Sequence, residues 1–303
     1  MNKKQASWDD IFYRISLSKI PFPSKLSEEY YGKIKKYLPK KAKLLEAGSG
    51  TGEISAYFAK NGNEVYLLDK SKVALDLSKR IFSKYKLKGT FVKADLFSIP
   101  FSDNTFDCVW NSGVLEHFSD EEIVCALKEM SRVSKNLVIS LVPSAQSVIY
   151  RMVKWELEAQ NKWQYGDEFP KYTLQPQFRT AGLNVLDEIF IGSYSGLLWI
   201  KEIIKLPLQL LNNLASWSEG VEEERLKDGL AYLLLTIGTK RDDVKSYASK
   251  NNSEYTIRQK DNRILILNKK LKQTQKELED IQHSRFWLAY RLFKKLKKYN
   301  IKK

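Results

Sequence analysis

The sequence predicts an α/β fold built on a doubly wound, seven-stranded sheet. Three observations carry that prediction. Between Lys43 and Val142 short β-type runs alternate with helical stretches, the pattern of parallel strands joined by crossover helices. The first run ends in a turn holding Gly48, Gly50 and Gly52, where a first strand would hand over to a first helix. Further along, "LNVLDEIFIG" and "LAYLLLTIGTK" read as two closing strands.

In chain order, "KLLEAG" is a buried strand and "EISAYFAKNG" a helix stopped by Gly62. "EVYLLD" is the second strand, followed by "SKVALDLSKRIFSKY", a helix with Ser71 at its N-cap. "GTFVKAD" is the third strand and "FDCVWNSGV" the fourth. The capped helix "SDEEIVCALKEMSRV" then leads through "VSKN" into a fifth strand, "NLVISLV". Residues 143–183 and 195–217 are aromatic and partly helical, and are expected to sit as caps over the strand ends. Residues 1–42 are expected to form a helical lid, with "SWDDIFYRI" closing over the site. Residues 43–240 thus make one domain, 241–260 a polar linker, and 261–303 a helical tail.

Composition narrows the function classes. With 43% hydrophobic and 29% charged residues the chain reads as soluble and globular. The net charge of +15 belongs mainly to the tail: residues 241–303 hold 18 Lys+Arg against 7 Asp+Glu, which leaves 33 against 29 before them. A basic surface for nucleic acid is therefore not expected on the main domain. Cys108 and Cys125 are too few for a disulfide framework or a metal cluster, and both are expected to be buried free thiols. No metal is expected. "MNKKQASWDD" has no apolar run after its lysines, so no secretory signal is expected and the chain is placed in the cytoplasm. The most apolar stretch, "SGLLWIKEIIKLPLQLLNNL", is broken by Lys201, Glu202, Lys205 and Pro207 and reads as an amphipathic cap helix.

The glycine turn separates two cofactor classes. A dinucleotide fingerprint is G-x-G-x-x-G, with the pyrophosphate on the helix N-terminus. Here the order is E-x-G-x-G-x-G, and Glu53 occupies the place of the dinucleotide motif's third glycine. A carboxylate there faces a pyrophosphate badly. A cofactor without phosphates avoids that conflict.

The ordered series "LLEAGSGTG", "VYLLDKS", "VKADLFSIPFSDNTFDCVWNSGVLEHF" and "ALKEMSRV" resembles the class I, Rossmann-like S-adenosylmethionine-dependent methyltransferases of the methyltransferase 11 type, over about a third of the chain. The resemblance implies S-adenosylmethionine as cofactor and methyl transfer as activity. It implies that Glu46 orients the turn and the methionyl ammonium, and that Gly48, Ser49, Gly50 and Gly52 let the backbone lie against the cofactor. Asp69 would accept from the ribose hydroxyls, Lys70 and Leu96 flank the adenine, Asp95 accept from its amine, and Asn111 and Ser112 line the methionine moiety. The family's glycine pair before the fifth strand is missing, so a tighter turn is expected at "VSKN".

For a hydroxyl acceptor a base is useful, and His117 in "LEHF" is the candidate, against the alternative of a packing histidine. Trp155, Trp163 and Tyr165, with Asp167 and Glu168 beside them, offer flat apolar faces next to carboxylates. That combination suits a sugar ring, and equally suits core packing. The expected acceptor is a small molecule or glycan, in particular a hydroxyl of a cell-surface saccharide or its lipid-linked precursor. The alternatives are an RNA, lipid or other small-molecule methyltransferase, or a cofactor-binding scaffold that acts through its tail. In the tail, Ile264, Leu267, Leu271, Thr274, Leu278, Ile281, Arg285 and Leu288 alternate at three and four residues, which predicts a short coiled coil and a homo-oligomer, with a helix packed on its own domain as the alternative. "SRFWLAYRLFKKLKKYNIKK", residues 284–303, mixes aromatics with eight Lys+Arg and no acid, which suits an anionic membrane surface at the inner face. A heptad helix followed by "SRFW" also resembles the tails of bacterial glycosyltransferases and methyltransferases that build surface polysaccharides.

Overall fold

The computed structural model describes residues 7–204 and 230–241. The heptad segment 264–288, the basic end 284–303, nearly all of the linker and cap residues 205–217 lie outside the described residues.

Seven strands form one sheet in the order β3-β2-β1-β4-β5-β7-β6. They are β1 (Lys43–Ala47), β2 (Glu64–Asp69), β3 (Thr90–Lys93), β4 (Phe106–Ser112), β5 (Ser134–Pro143), β6 (Asn184–Ile191) and β7 (Leu233–Thr239). The first five pair in parallel, and β7 runs antiparallel between β5 and β6. Crossover helices α3 (Glu53–Lys60) and α4 (Lys72–Lys84) cover one face, while α5 (Asp120–Val133) covers the other. Successive strand residues therefore bury on opposite sides: Leu44 and Cys108 pack with Phe58 and Ile81, whereas Leu45 and Val109 pack with Leu127 and Met130. This two-sided burial is why the strands read as continuous apolar runs. The strand order reverses between β1 and β4, which opens a crevice at their carboxyl ends.

The caps form where local chemistry asks for them. Ser71 accepts from the Ala74 N–H at 3.1 Å to start α4, and Ser119 closes a capping box with Glu122 to start α5. At "VSKN" the turn has vanished: α5 ends at Val133 and β5 begins at Ser134.

Four expectations change. Within 1–42, α1 (Trp8–Arg14) lies at the crevice, whereas α2 (Lys25–Ile34) reaches it through Leu26 and is otherwise a core helix whose Tyr30 and Ile34 are fully buried under the sheet. In 143–183, α6 (Val148–Ala159) packs with α8 (Ser193–Ile203) as a cap, but α7 (Gln175–Thr180) flanks the sheet against α5 and β6 through buried Phe178. β3 stops at Lys93, so Asp95 belongs to the loop beyond it. Cys108 is buried as expected, but Cys125 is exposed, because it falls on the outward side of α5.

Candidate active site

The crevice opens into a cavity of about 580 Å³ that holds residues from every parallel strand end. After β1 the chain turns back on β2: the Gly48 and Ser49 N–H groups both donate to the Leu68 carbonyl, at 2.7 and 3.0 Å. Gly48 has φ +85°, and a Cβ there would meet Val114 at 2.7 Å, so only glycine fits. Asp69, at the end of β2, accepts from the Gly50 N–H at 2.9 Å and from the Ser71 N–H at 2.8 Å. One carboxylate thus ties the glycine turn to the start of α4 and still borders the cavity. Asp95 accepts from the Phe97 N–H at 2.9 Å. Its loop is clamped from below by Arg132, which donates to the Ile99 and Phe101 carbonyls at 2.9 and 2.8 Å.

Burial shapes the charges here. It pushes the Glu46 carboxyl well above the usual carboxylate range, with Glu53 and Asp69 adding repulsion, and it raises Asp69 as well. Glu46 Oε2 and Ser49 Oγ are buried without a hydrogen-bond partner. Such a set is short of donors and of positive charge, which a cationic ligand bearing hydroxyls and an amine supplies.

Glu46, Gly48, Ser49, Gly50, Asp69, Lys70, Asp95, Leu96 and Ser112 all line the cavity. Two residues of the motif do not. Gly52 sits at φ +68° as the N-cap of α3, and a Cβ there would lie 2.5 Å from Leu67 and 2.7 Å from Ser78, so its smallness serves helix-to-strand packing. Asn111 is fully buried and faces α5, donating to Met130 Sδ at 3.2 Å, because the strand's alternation turns it away from the opening. Glu53 also has a task of its own: its carboxylate accepts from the Ser24 N–H, Ser24 Oγ and Ser27 Oγ and so holds the start of α2.

The other half of the cavity is aromatic. Trp163, Tyr165 and Glu168 line it with Tyr150 of α6, Trp199 of α8 and Tyr232 just before β7, and Trp8 and Phe12 of α1 line it as well. Trp155 is 62% exposed on the outer side of α6, and the Asp167 side chain points to solvent; neither lines the cavity. Asp167 contributes its backbone instead, its carbonyl lying 3.0 Å from His117 Nδ1. With Nδ1 as the donor, Nε2 of a neutral ring carries the lone pair, and burial lowers the His117 pKa and so favours that neutral form. Nε2 lies 3.9 Å from Glu168 Oε1, while Tyr150 OH donates to Glu168 Oε2. Glu116, next to His117, is buried against the same group with Oε2 unpartnered, and burial pushes its pKa up to about 8. Tyr150, Trp199, Tyr232 and Glu116 were not singled out from the sequence; only Glu116, inside "LEHF", had a local signal.

The fold and the cavity define a Rossmann-like domain with a glycine cradle and carboxylates at the ends of its first strands. Residues 44–136 match the family described as a methyltransferase domain. The chain is 35% identical over 92 residues to the uncharacterized methyltransferase YodH of Bacillus subtilis, which covers 30% of this chain and 38% of that protein. It is 33% identical over 98 residues to the ubiquinone/menaquinone biosynthesis C-methyltransferase UbiE of Cronobacter sakazakii, covering 31% of this chain and 38% of the relative. The chain thus spans about two fifths of the length of these curated relatives. The PH0226 protein of Pyrococcus horikoshii shares the fold, with a TM-score of 0.50 and 16% identity over 76% of this chain and 99% of that one. Residues 44–136 thus resemble a methyltransferase domain in sequence, and the sheet they belong to has the fold of its structural neighbour.

Proposed function

We propose that the chain is an S-adenosylmethionine-dependent methyltransferase that methylates a hydroxyl of a small-molecule or glycan acceptor. One observation carries the reading: a single cavity joins a glycine turn edged by Glu46, Asp69 and Asp95 to an aromatic chamber containing His117. When bound, S-adenosylmethionine supplies an activated methyl group. Glu46 and Ser49, with their unpartnered oxygens, would hold the methionyl end, Asp69 the ribose, and Asp95, Lys70 and Leu96 the adenine. Displacement at a sulfonium methyl needs alignment and exclusion of water more than strong acid or base chemistry. Trp8 and Phe12 provide the exclusion. His117 Nε2 accepts the acceptor's hydroxyl proton, a role its neutral form permits.

The rings of Trp163 and Tyr165 beside Glu168 support a saccharide as acceptor, since they offer flat faces with a hydrogen-bond acceptor at the edge. A lipid-linked glycan precursor at the inner membrane face, reached through the basic segment 284–303, belongs to this reading, as does self-association through 264–288. Among the described residues no helix is long and apolar enough to cross a membrane. Titration decides the cofactor: micromolar binding of S-adenosylmethionine with none of NAD is expected, and no binding of S-adenosylmethionine would overturn the proposal. Methyl incorporation into saccharides, lipid-linked glycans and RNA, read by mass spectrometry, then identifies the acceptor. Flotation with anionic vesicles and light scattering test the tail.

A further inference from the structure

The aromatic half of the cavity contains a group that methyl transfer by alignment alone does not require. Glu116, His117 and Glu168 each offer one ligand atom, and these atoms lie within 4.8 Å of one another. The first two come from the short helical turn after β4, and the third from the loop after α6. We propose that these three side chains form a site for one divalent cation of nitrogen and oxygen preference, Mn²⁺ or Zn²⁺, at the acceptor end of the cavity.

Three further observations point the same way. Glu116 is 2% exposed and its Oε2 has no hydrogen-bond partner, an arrangement that costs free energy unless a cation or donor completes it. His117 Nδ1 is occupied by the Asp167 carbonyl at 3.0 Å, which leaves Nε2 as the ligand atom. Metal-bound histidines commonly show this arrangement, the outer nitrogen donating to a backbone carbonyl. Glu168 is supported in the same manner, since Tyr150 OH donates to Oε2 and leaves Oε1 facing His117 Nε2 at 3.9 Å. That separation is too long for a hydrogen bond. Two ligands at about 2.1 Å from a tetrahedral ion stand about 3.4 Å apart, so a contraction of several tenths of an ångström closes the pair.

No lysine or arginine among the described residues lies within 4.0 Å of either carboxylate, although Lys154 acts on Glu168 and Lys171 on Glu116 through space. The nearby Lys154 reaches the Glu168 backbone carbonyl at 3.5 Å and Glu158 at 4.0 Å. Three protein ligands leave coordination positions open toward the cavity, as in catalytic sites. One imidazole and two carboxylates suit Mn²⁺ or Zn²⁺ better than a thiolate-seeking ion. The site revises the sequence expectation of no metal, which rested on cysteine count alone. It deepens the proposed function: a hydroxyl coordinated to the ion ionises more readily to solvent, so in the loaded protein His117 acts as a ligand in place of a base.

Ion binding tests this without any acceptor. The full-length chain, treated with chelator, is titrated with Mn²⁺ alone, with free ion read by electron paramagnetic resonance and Trp fluorescence reporting on Trp8, which packs edge-on to His117 at 5.1 Å. One Mn²⁺ per chain at micromolar affinity is expected, displaced by Zn²⁺. E116Q and E168Q should each weaken binding by about tenfold or more, and Y150F by less. Should the buried E116Q fail to fold by circular dichroism, the E168Q variant on the loop decides alone. Absence of Mn²⁺ and Zn²⁺ binding, or binding unchanged in E168Q, overturns the site. S-adenosylmethionine affinity measured on the same samples keeps the two proposals apart, because it tests the cofactor half only.

Discussion

At the scale of single residues, the cavity divides into side chains that face its interior and side chains that hold others in place. Asp69 does both, through two backbone N–H groups and its edge on the cavity. Asp69→Ala should therefore weaken S-adenosylmethionine binding by about 10- to 100-fold, the loss of charge-assisted hydrogen bonds, as calorimetry would show. His117→Ala should leave that affinity unchanged and lower turnover by about 100-fold or more. Normal turnover in this variant would make His117 a packing residue. The motif made the strand-end residues legible in the sequence because each lies within a few positions of a recognisable turn. It misassigned Gly52 and Asn111 because a motif records that a residue is needed without recording which face needs it. Trp155 was misread for the same reason: on α6 the helical period points it outward, while Tyr150 points in. The wall formed by Tyr150, Trp199 and Tyr232 had no local signature, since only the antiparallel return of β7 brings its members together.

At the scale of elements, the site depends on clamps outside it. Arg132 of α5 grips the loop after β3 through two carbonyls and through Asp103 at 2.8 Å, and this loop carries Asp95 and Leu96. Arg132→Ala touches no cavity atom, yet it should weaken cofactor affinity several-fold and speed amide exchange over residues 96–103, as hydrogen exchange would detect. An unchanged exchange pattern would show that the loop holds itself. The turn between β1 and α3 has even less tolerance. Gly52→Ala adds a methyl group 2.5 Å from Leu67 at a left-handed backbone position, and should cost about 2–4 kcal/mol in a denaturant melt. The alternation of strands and helices was legible because both periods are strong in this sequence. The place of α2 was not, since an amphipathic helix shows that it has an apolar face without showing what covers it.

At the scale of the whole molecule, the buried carboxylates act together. Burial raises Glu46, Glu53, Asp69, Glu116 and Glu188 above their unfolded values, so between about pH 4.5 and pH 8 the folded ligand-free chain binds more protons than the unfolded one. Stability must then fall as pH rises, by up to about 1.4 kcal/mol per pH unit for each group still protonated. His117, lowered by burial, works in the opposite sense up to its ordinary value, but it is one group against these five and the likewise raised Glu29 and Glu168. Melting temperatures should therefore decline from pH 5 to pH 8, and a steady rise over that range would contradict the account. The direct passage from α5 into β5 has a different consequence, one of slack. β5 pairs in parallel with β4 and antiparallel with β7, so it joins the two halves of the sheet. A residue inserted between Val133 and Ser134 has no loop to absorb it, and a slip of one position in β5 would exchange the faces of Val138 and Ile139 and misalign both neighbours. The same insertion in the exposed turn at Asn161 and Lys162 should leave the protein soluble and folded. A change in length is thereby better absorbed in the cap, where it alters the aromatic half of the cavity and spares the strand ends beneath it.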